Sequence, residues 1–344
     1  MNVSLATEND LAPWQTFVDN TPDAGPMHHA GWFNVLRDAY AVTPHFFMAK
    51  NDSGAIVGVM PMYRTSSIFT GTHFTTLEGG ILARDEGARI SLLSAAKALR
   101  NERGVRYVQI RGGSVDPEAS FSLTTLHTVV PTSEGPDARW SAIKPKTRWG
   151  IRQAEKQPFE ITHDTDLLFL DDFYLLYAAH MRDLGTPVFS LKTFHAMREQ
   201  LGMQRLRLYL LRYEQRLVGG MLCIVQGNRW TDLYAIVRRA QTTEFANYLM
   251  YWHVIRDAAK SGIAEFDMGR STPESNVHLF KRKWGGSDVA VQYQFYPAEG
   301  NRRSQLGLVG ETREKGLAQR IWSSLPPSVC NIAGPLIRRD LPFL

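Results

Sequence analysis

The side chains best suited to act on an anion gather in EFDMGRSTPESNVHLFKRKWGG, residues 265–286: Asp267, Arg270, Ser271, Thr272, Lys281, Arg282 and Lys283. Aspartate accepts protons and hydrogen bonds, lysine and arginine only donate, and hydroxyls do both, so this set can hold a phosphate or stabilise a developing negative charge. The elements that must position them are short. Glu265-Phe266-Asp267-Met268 alternates as a half-buried strand does, and Gly269 is expected to end it. Ser271 with Glu274 three residues on reads as a capping box, and Pro273 suits a first helical turn, so a helix is expected from near Thr272. Val277, Phe280 and Trp284 recur as its apolar stripe, with Lys281, Arg282 and Lys283 on the other side and Gly285-Gly286 as the stop. The unsatisfied N–H groups at such a helix start suit a phosphate at Ser271 and Thr272. The competing reading pairs Asp267 with Arg270, makes the hydroxyls caps and leaves the basic cluster as a solvated face.

A chain of 344 residues exceeds one ordinary core and suits two domains. Its apolar share of 44% and charged share of 21% are those of a globular protein. A net charge of +5 favours anionic partners, whether tRNA, a lipid-linked pyrophosphate or a membrane surface, without choosing among them. Cys223 and Cys330 cannot build a disulfide framework or a zinc site, and Cys223 sits in an apolar run as an inert buried thiol. MNVSLATENDLAPWQ lacks the basic and apolar regions of a signal peptide, and no apolar run reaches membrane-spanning length. A cytoplasmic protein is expected, with peripheral contact at the inner membrane as an added possibility.

Periodicity predicts helices over 10–20 and 28–40, a hairpin of strands 44–50 and 55–64 turning at Asn51–Gly54, a strand at 72–77, a helix over 89–103, and strands at 105–111 and 123–131. Turn formers at 132–137 mark a domain boundary, giving lobes 1–136 and 137–299 and a basic, amphipathic tail 300–344. A helix over 141–157 carries Lys144, Lys146, Arg148, Arg152 and Lys156 against Glu155 alone. Helices at 167–182 and 192–201, a strand meander at 205–212, 217–226 and 229–237, and a helix over 244–261 follow. KNDSGAIVGVMPM and RYEQRLVGGMLCI each give a charged turn and an apolar strand, an internal echo that fits two related lobes. In the tail, Pro326-Pro327 forbids one long helix, and Leu317, Ile321, Trp322 and Leu325 form a stripe that serves as a strap on the body or docks on a membrane.

FDMGRSTPESNVHLFKRKWG resembles the signature near the C-terminus of FemA/FemX-like proteins, particularly the FemAB-related group associated with PEP-CTERM exopolysaccharide systems. The resemblance extends through Trp149–Arg152, Arg182–Pro187 and Asn247–Leu249. It implies an α+β fold of two tandem GNAT-like lobes, each a mixed, mostly antiparallel sheet flanked by helices, with a cleft between them onto which the cationic groups face. It also implies transfer of an amino acid from aminoacyl-tRNA to an amine on a peptidoglycan or exopolysaccharide precursor, lipid- or nucleotide-linked. By the family's Phe-Lys pair, here Phe280-Lys281, Lys281 is the catalytic candidate.

Amide formation needs an unprotonated amine, a positioned carbonyl and donors for the oxyanion, with neither metal nor enzyme nucleophile. HExxH, GxSxG and P-loop motifs are all missing here. Lys281 would stabilise the tetrahedral intermediate, and Asp267 would accept a proton or orient the amine. Arg270, Ser271, Thr272 and Lys283 are substrate anchors, and Trp284 is a substrate contact for which packing is the competing role. Arg182 and Thr186, the latter held extended by Pro187, resemble part of the family's acceptor channel, with a plain helix-to-helix turn as the alternative. Asn247 and Tyr248 begin the helix where a GNAT enzyme receives its cofactor's pyrophosphate. The preceding run, VRRAQTTEFANYL, holds none of the glycines of a CoA grip, which favours aminoacyl-tRNA over acyl-CoA as donor. No permanently bound cofactor is expected. A noncatalytic adaptor binding phosphorylated glycan or membrane is the reading from another class.

Overall fold

The structure, a computed structural model, describes residues 1–67, 71–238, 245–299 and 316–339. In chain order its strands are β1 Asn2–Leu5, β2 Thr43–Lys50, β3 Ile56–Ser67, β4 Gly71–Thr76, β5 Leu82–Ala83, β6 Tyr107–Arg111, β7 Phe121–Pro131, β8 Phe159–Asp164, β9 Leu206–Tyr213, β10 Arg216–Gln226, β11 Arg229–Val237, β12 Glu265–Ser271 and β13 Ser287–Pro297. The helices are α1 Leu11–Asp19, the single turn α2 Trp32–Asn34, α3 Glu86–Glu102, α4 Pro136–Ala142, α5 Pro145–Ala154, α6 Leu170–Leu184, α7 Leu191–Leu201, α8 Ala246–Lys260, α9 Asn276–Lys281, α10 Leu317–Ser324 and α11 Pro327–Arg339. None of the described helices is long and apolar enough to cross a membrane.

The chain divides into two compact units. The first comprises Met1–Leu123, Met181–Leu201 and Val291–Leu344, and the second Thr124–His180 and Gly202–Ala290. In the first, the strand order is β1-β2-β3-β4-β6-β13, with β5 beside β3; in the second it is β8-β9-β10-β11-β12-β7. The two orders share one plan. Four antiparallel strands lead to one parallel pair, β4 with β6 and β11 with β12, and an antiparallel strand follows, β13 on β6 and β7 on β12. A helix makes each parallel crossover, α3 in one unit and α8 in the other, because parallel neighbours need a long connection. The two echoing sequences form the β2–β3 and β9–β10 hairpins, at equivalent places.

Each unit buries its own core. Phe47, Met60, Phe74, Leu92 and Val108 pack in the first unit, and Ile151, Tyr209, Met221, Trp252, Phe266 and Trp284 in the second. The expected helix over 28–40 is instead a 3-10 turn, the short α2 and a five-residue π turn, which still bury Trp32 and Leu36. The expected helix 141–157 is interrupted at Ile143-Lys144, because Pro145 disfavours a helical residue before it and opens a new helix as its first residue. Strands β8 and β13 had no counterpart in the sequence reading. β8 is edge-placed with a mostly half-buried pattern, FEITHD, that lacks a continuous apolar run.

Candidate active site

The geometry of the second unit's site begins with a flaw in a strand. β12 pairs with β7 as Asp267 with Val129, and again as Arg270 with His127, but the register shifts between, leaving a bulge at Met268-Gly269. Gly269 holds φ +73°, and a Cβ there would lie 3.0 Å from the carbonyl oxygen of Asp232. Both facts demand glycine. The strand therefore runs on to Ser271 through Gly269, which kinks it without ending it. On its other side β12 pairs in parallel with β11 only over Glu265–Asp267, opposite Arg229–Thr231. Past that point both strands continue without a register between them, and Asp232 and Gly269 stand at the point of separation.

Four ionisable side chains meet at this bulge. The Asp267 carboxylate is buried, and its Oδ1 accepts from the Gly269 N–H at 2.8 Å, closing the bulge. His127 places Nδ1 2.9 and 3.0 Å from the two carboxylate oxygens of Asp267. An ionised carboxylate can only accept, so the shared proton belongs to Nδ1, and in the neutral ring Nε2 is the acceptor. Lys281 is 5% exposed and donates from Nζ to the carbonyl oxygens of Gly269 at 2.7 Å and Arg270 at 2.8 Å. Asp232 accepts from the Tyr251 hydroxyl at 2.7 Å on Oδ2. Its Oδ1 is enclosed and, among the described residues, has no partner. Burial pushes the Asp232 carboxyl up to about 6, against the lowering effects of the Tyr251 hydrogen bond and the Lys281 charge. Burial and the Asp232 charge in turn raise the Tyr251 phenol far above its ordinary value.

Lys281 is presented by α9, whose start differs from the expected one. Its cap is Ser275, which accepts from the His278 N–H at 3.2 Å, and the helix opens at Asn276. Ser271 belongs to β12, and its hydroxyl is bonded to the Leu126 carbonyl at 3.3 Å, so it caps nothing. The capping-box pattern misleads here because Glu274 adopts φ +59°, a turn conformation incompatible with a helix running through it. The expected stripe is displaced as well: Val277 is 55% exposed, while His278, Lys281 and Trp284 are the buried residues. Lys281 thus lies on the inward face, apart from the exposed Arg282. His278 fixes that face. Its Nδ1 accepts from the Glu274 N–H at 3.0 Å and its Nε2 donates to Asp288 at 2.9 Å, while Thr128 donates to the other Asp288 oxygen at 2.9 Å. Against the burial that would raise it, these hydrogen bonds hold the Asp288 carboxyl below the usual range.

An aromatic group lies beside the cluster. Lys283 donates to the Tyr248 hydroxyl at 3.2 Å, and the Tyr248 ring lies 5.5 Å from Phe280 and 6.3 Å from Trp284, centroid to centroid. Trp284 is 1% exposed and serves the core. Asn247 is exposed and Arg270 half-buried. Residues 239–244, the middle of the run expected to face a donor's pyrophosphate, lie outside the described residues. Arg182 and Thr186 belong to the first unit: Arg182 pairs with Asp183 at 3.0 Å, and Thr186 sits in the turn after α6, bonded through its N–H to the Met181 carbonyl at 2.9 Å.

The bulge thus unites Asp267, Arg270 and Lys281 from the expected set with His127 and Asp232, which the sequence reading did not select. Asp232 carried a signal, a lone acid inside the apolar strand RWTDLYAIV. His127 carried none beyond its own identity in LTTLHTVV.

Two such units, each with a helix-linked parallel pair among antiparallel strands, make an α+β fold of two GNAT-like lobes. Residues 143–282 match the family model described as an acetyltransferase (GNAT) domain. The fold is that of FemX, with a TM-score of 0.62 at 13% identity over 86% of this chain and 97% of FemX. It is also similar to L-PGS from Bacillus licheniformis, with a TM-score of 0.55 at 11% identity over 87% of this chain and 94% of that one. A tandem GNAT protein from the clavulanic acid biosynthesis pathway superposes with a TM-score of 0.53 at 13% identity over 88% of this chain and 99% of that one. No curated protein sequence matches this chain.

Proposed function

We propose that this protein forms an amide on an amino group of a cell-envelope precursor, of peptidoglycan or exopolysaccharide, using aminoacyl-tRNA as the acyl donor. The observation that carries the reading is the buried cluster at the β12 bulge, where a lysine ammonium stands among two carboxylates and an imidazole. Such a set suits acyl transfer without an enzyme nucleophile. The acceptor amine loses a proton to a neighbouring base, attacks the donor carbonyl, and gives a tetrahedral oxyanion stabilised by Lys281. Collapse expels the tRNA hydroxyl, which takes up a proton. Asp232, with its carboxyl raised to about 6, suits the proton transfers near neutral pH, and Asp267 orients His127 beside it. Arg270, Asn247, Tyr248 and Lys283 anchor the donor or acceptor, and Arg182 and Thr186 are the acceptor-channel residues that the family resemblance implies. Ser271 acts through the β12 backbone that it ends, and Thr272 from the turn that follows. The acceptor is a lipid- or nucleotide-linked glycan precursor, reached from the cytoplasm.

One observation favours a second donor: the matched domain is an acetyltransferase domain, so acyl-CoA is the competing substrate. The test incubates the purified chain with radiolabelled aminoacyl-tRNA, and separately with acyl-CoA, each with an amino-sugar acceptor. Label transferred from tRNA into an amide supports the reading. CoA release coupled to amide formation, with no transfer from tRNA, replaces it by the second.

A further inference from the structure

Helices α10 and α11 pack by one side and leave the other bare. Trp322 is 9% exposed and Cys330 1%, with the Cys330 thiol 3.7 Å from the Trp322 carbonyl oxygen, so the two helices close on each other. They are also fastened to the first unit. The Arg338 guanidinium lies 4.8 Å over the Phe189 ring, the Arg338 carbonyl accepts from the Tyr40 hydroxyl at 2.9 Å, and Gly334 admits Val188, whose Cγ2 would stand 2.9 Å from a Cβ there. Packing of this kind satisfies a strap. It does not account for Leu317 at 77% exposure, Ile332 at 75% and Leu336 at 60%. Ile321, Val329 and Ile337 are exposed too. Leu317 and Ile321 are one turn apart, as are Ile332 and Leu336, with Val329 in the turn before, so each helix shows a face of aliphatic side chains at helical spacing.

Residues 316–339 hold Arg320, Arg338 and Arg339 and no acidic residue; Arg338 is buried over Phe189, and Arg320 is exposed. We infer that the α10–α11 pair is a docking surface for an anionic lipid bilayer. Its aliphatic face enters the boundary between headgroups and acyl chains, and the exposed Arg320 meets headgroup phosphates. A second copy of this chain is a poorer occupant, since a symmetric contact would bring each Arg320 against the same cationic face. The inference rests on the exposure and charge of these helices and not on the acyl-transfer reading.

Flotation of the full chain with vesicles tests it. Binding is expected to vesicles of phosphatidylcholine mixed with phosphatidylglycerol, and at least about tenfold weaker binding to phosphatidylcholine alone. The variant Leu317→Ser/Ile332→Ser/Leu336→Ser is expected to lose binding to the mixed vesicles by about tenfold or more, and Arg320→Glu to weaken it. Should the triple variant misfold, Ile332→Asp alone carries the same expectation. Failure of the wild type to float with anionic vesicles overturns the inference, as does undiminished binding by a folded Ile332→Asp. Sedimentation velocity closes the alternative: a wild-type dimer that Ile332→Asp converts to monomer, without vesicle binding, reassigns the face to self-association.

Discussion

At the scale of residues, the site rests on charges kept out of water, and two substitutions separate their roles. Lys281→Met removes an ammonium that touches two backbone carbonyls, so the activity proposed here should fall by about 100-fold to 1,000-fold in kcat, the usual effect of losing one oxyanion donor. Some stability goes with it, about 1–3 kcal/mol, because buried carbonyls lose their donor. Steady-state kinetics beside thermal melts checks both; unchanged turnover in a folded variant removes Lys281 from the chemistry. Asp232 behaves in the opposite sense. Its carboxyl titrates near 3.8 when unfolded and is raised to about 6 in the fold. The folded state therefore binds more protons between these values, and stability falls as pH rises through that window. Asp232→Asn abolishes the fall. The variant should match the wild type below about pH 4 and exceed it above about pH 6 by at most about 3 kcal/mol, while losing the acid limb of the activity profile. Denaturant melts of both proteins across that range give the difference directly.

At the scale of elements, most of the strands and helices were legible because apolar spacing and turn residues agree along them. The hairpin at Asn51–Gly54, the β9–β11 meander and helix α8 formed close to the expected limits. The stretch that matters most departs from its local pattern. A serine followed three residues later by a glutamate satisfies the capping pattern locally, yet pairing of β12 with β7 extends through Arg270 and Ser271 and keeps Ser271 in the sheet. Tertiary pairing outweighed a local cap worth about 1 kcal/mol. The reassignment is testable. Ser275→Ala should cost about 1 kcal/mol through loss of the α9 cap, whereas Ser271→Ala should leave α9 in place. Hydrogen exchange at the His278 and Leu279 amides reports which serine holds the helix. Gly269→Ala should cost more, about 2 kcal/mol or above, since it adds a Cβ 3.0 Å from the Asp232 carbonyl at a positive φ. The partners His127 and Asp232 stayed hidden for a different reason. Their neighbourhood with Lys281 is created by strands 140 residues apart in sequence at the His127–Asp267 contact, and one-dimensional spacing holds no trace of that.

At the scale of the whole molecule, the donor is a question of charge. The chain carries +5 net, and Lys144, Lys146, Arg152 and Lys156 stand exposed along and beside α5. Trp149, 51% exposed, lies among them. A tRNA binds such a surface by displacing counterions, so its affinity depends steeply on salt, whereas a CoA-sized ligand neutralises far fewer charges. With about four phosphate contacts, tRNA affinity should drop by about 100-fold between roughly 50 and 200 mM monovalent salt. Replacing the four cations by glutamine should flatten that slope and weaken binding across all tRNA sequences alike, because phosphate contacts carry no base information. Filter binding over a salt series measures it. A slope near zero, unchanged in the quadruple variant, would turn α5 back into a solvated face and move the donor assignment to acyl-CoA; a steep slope lost in the variant makes α5 the track along which the tRNA backbone lies.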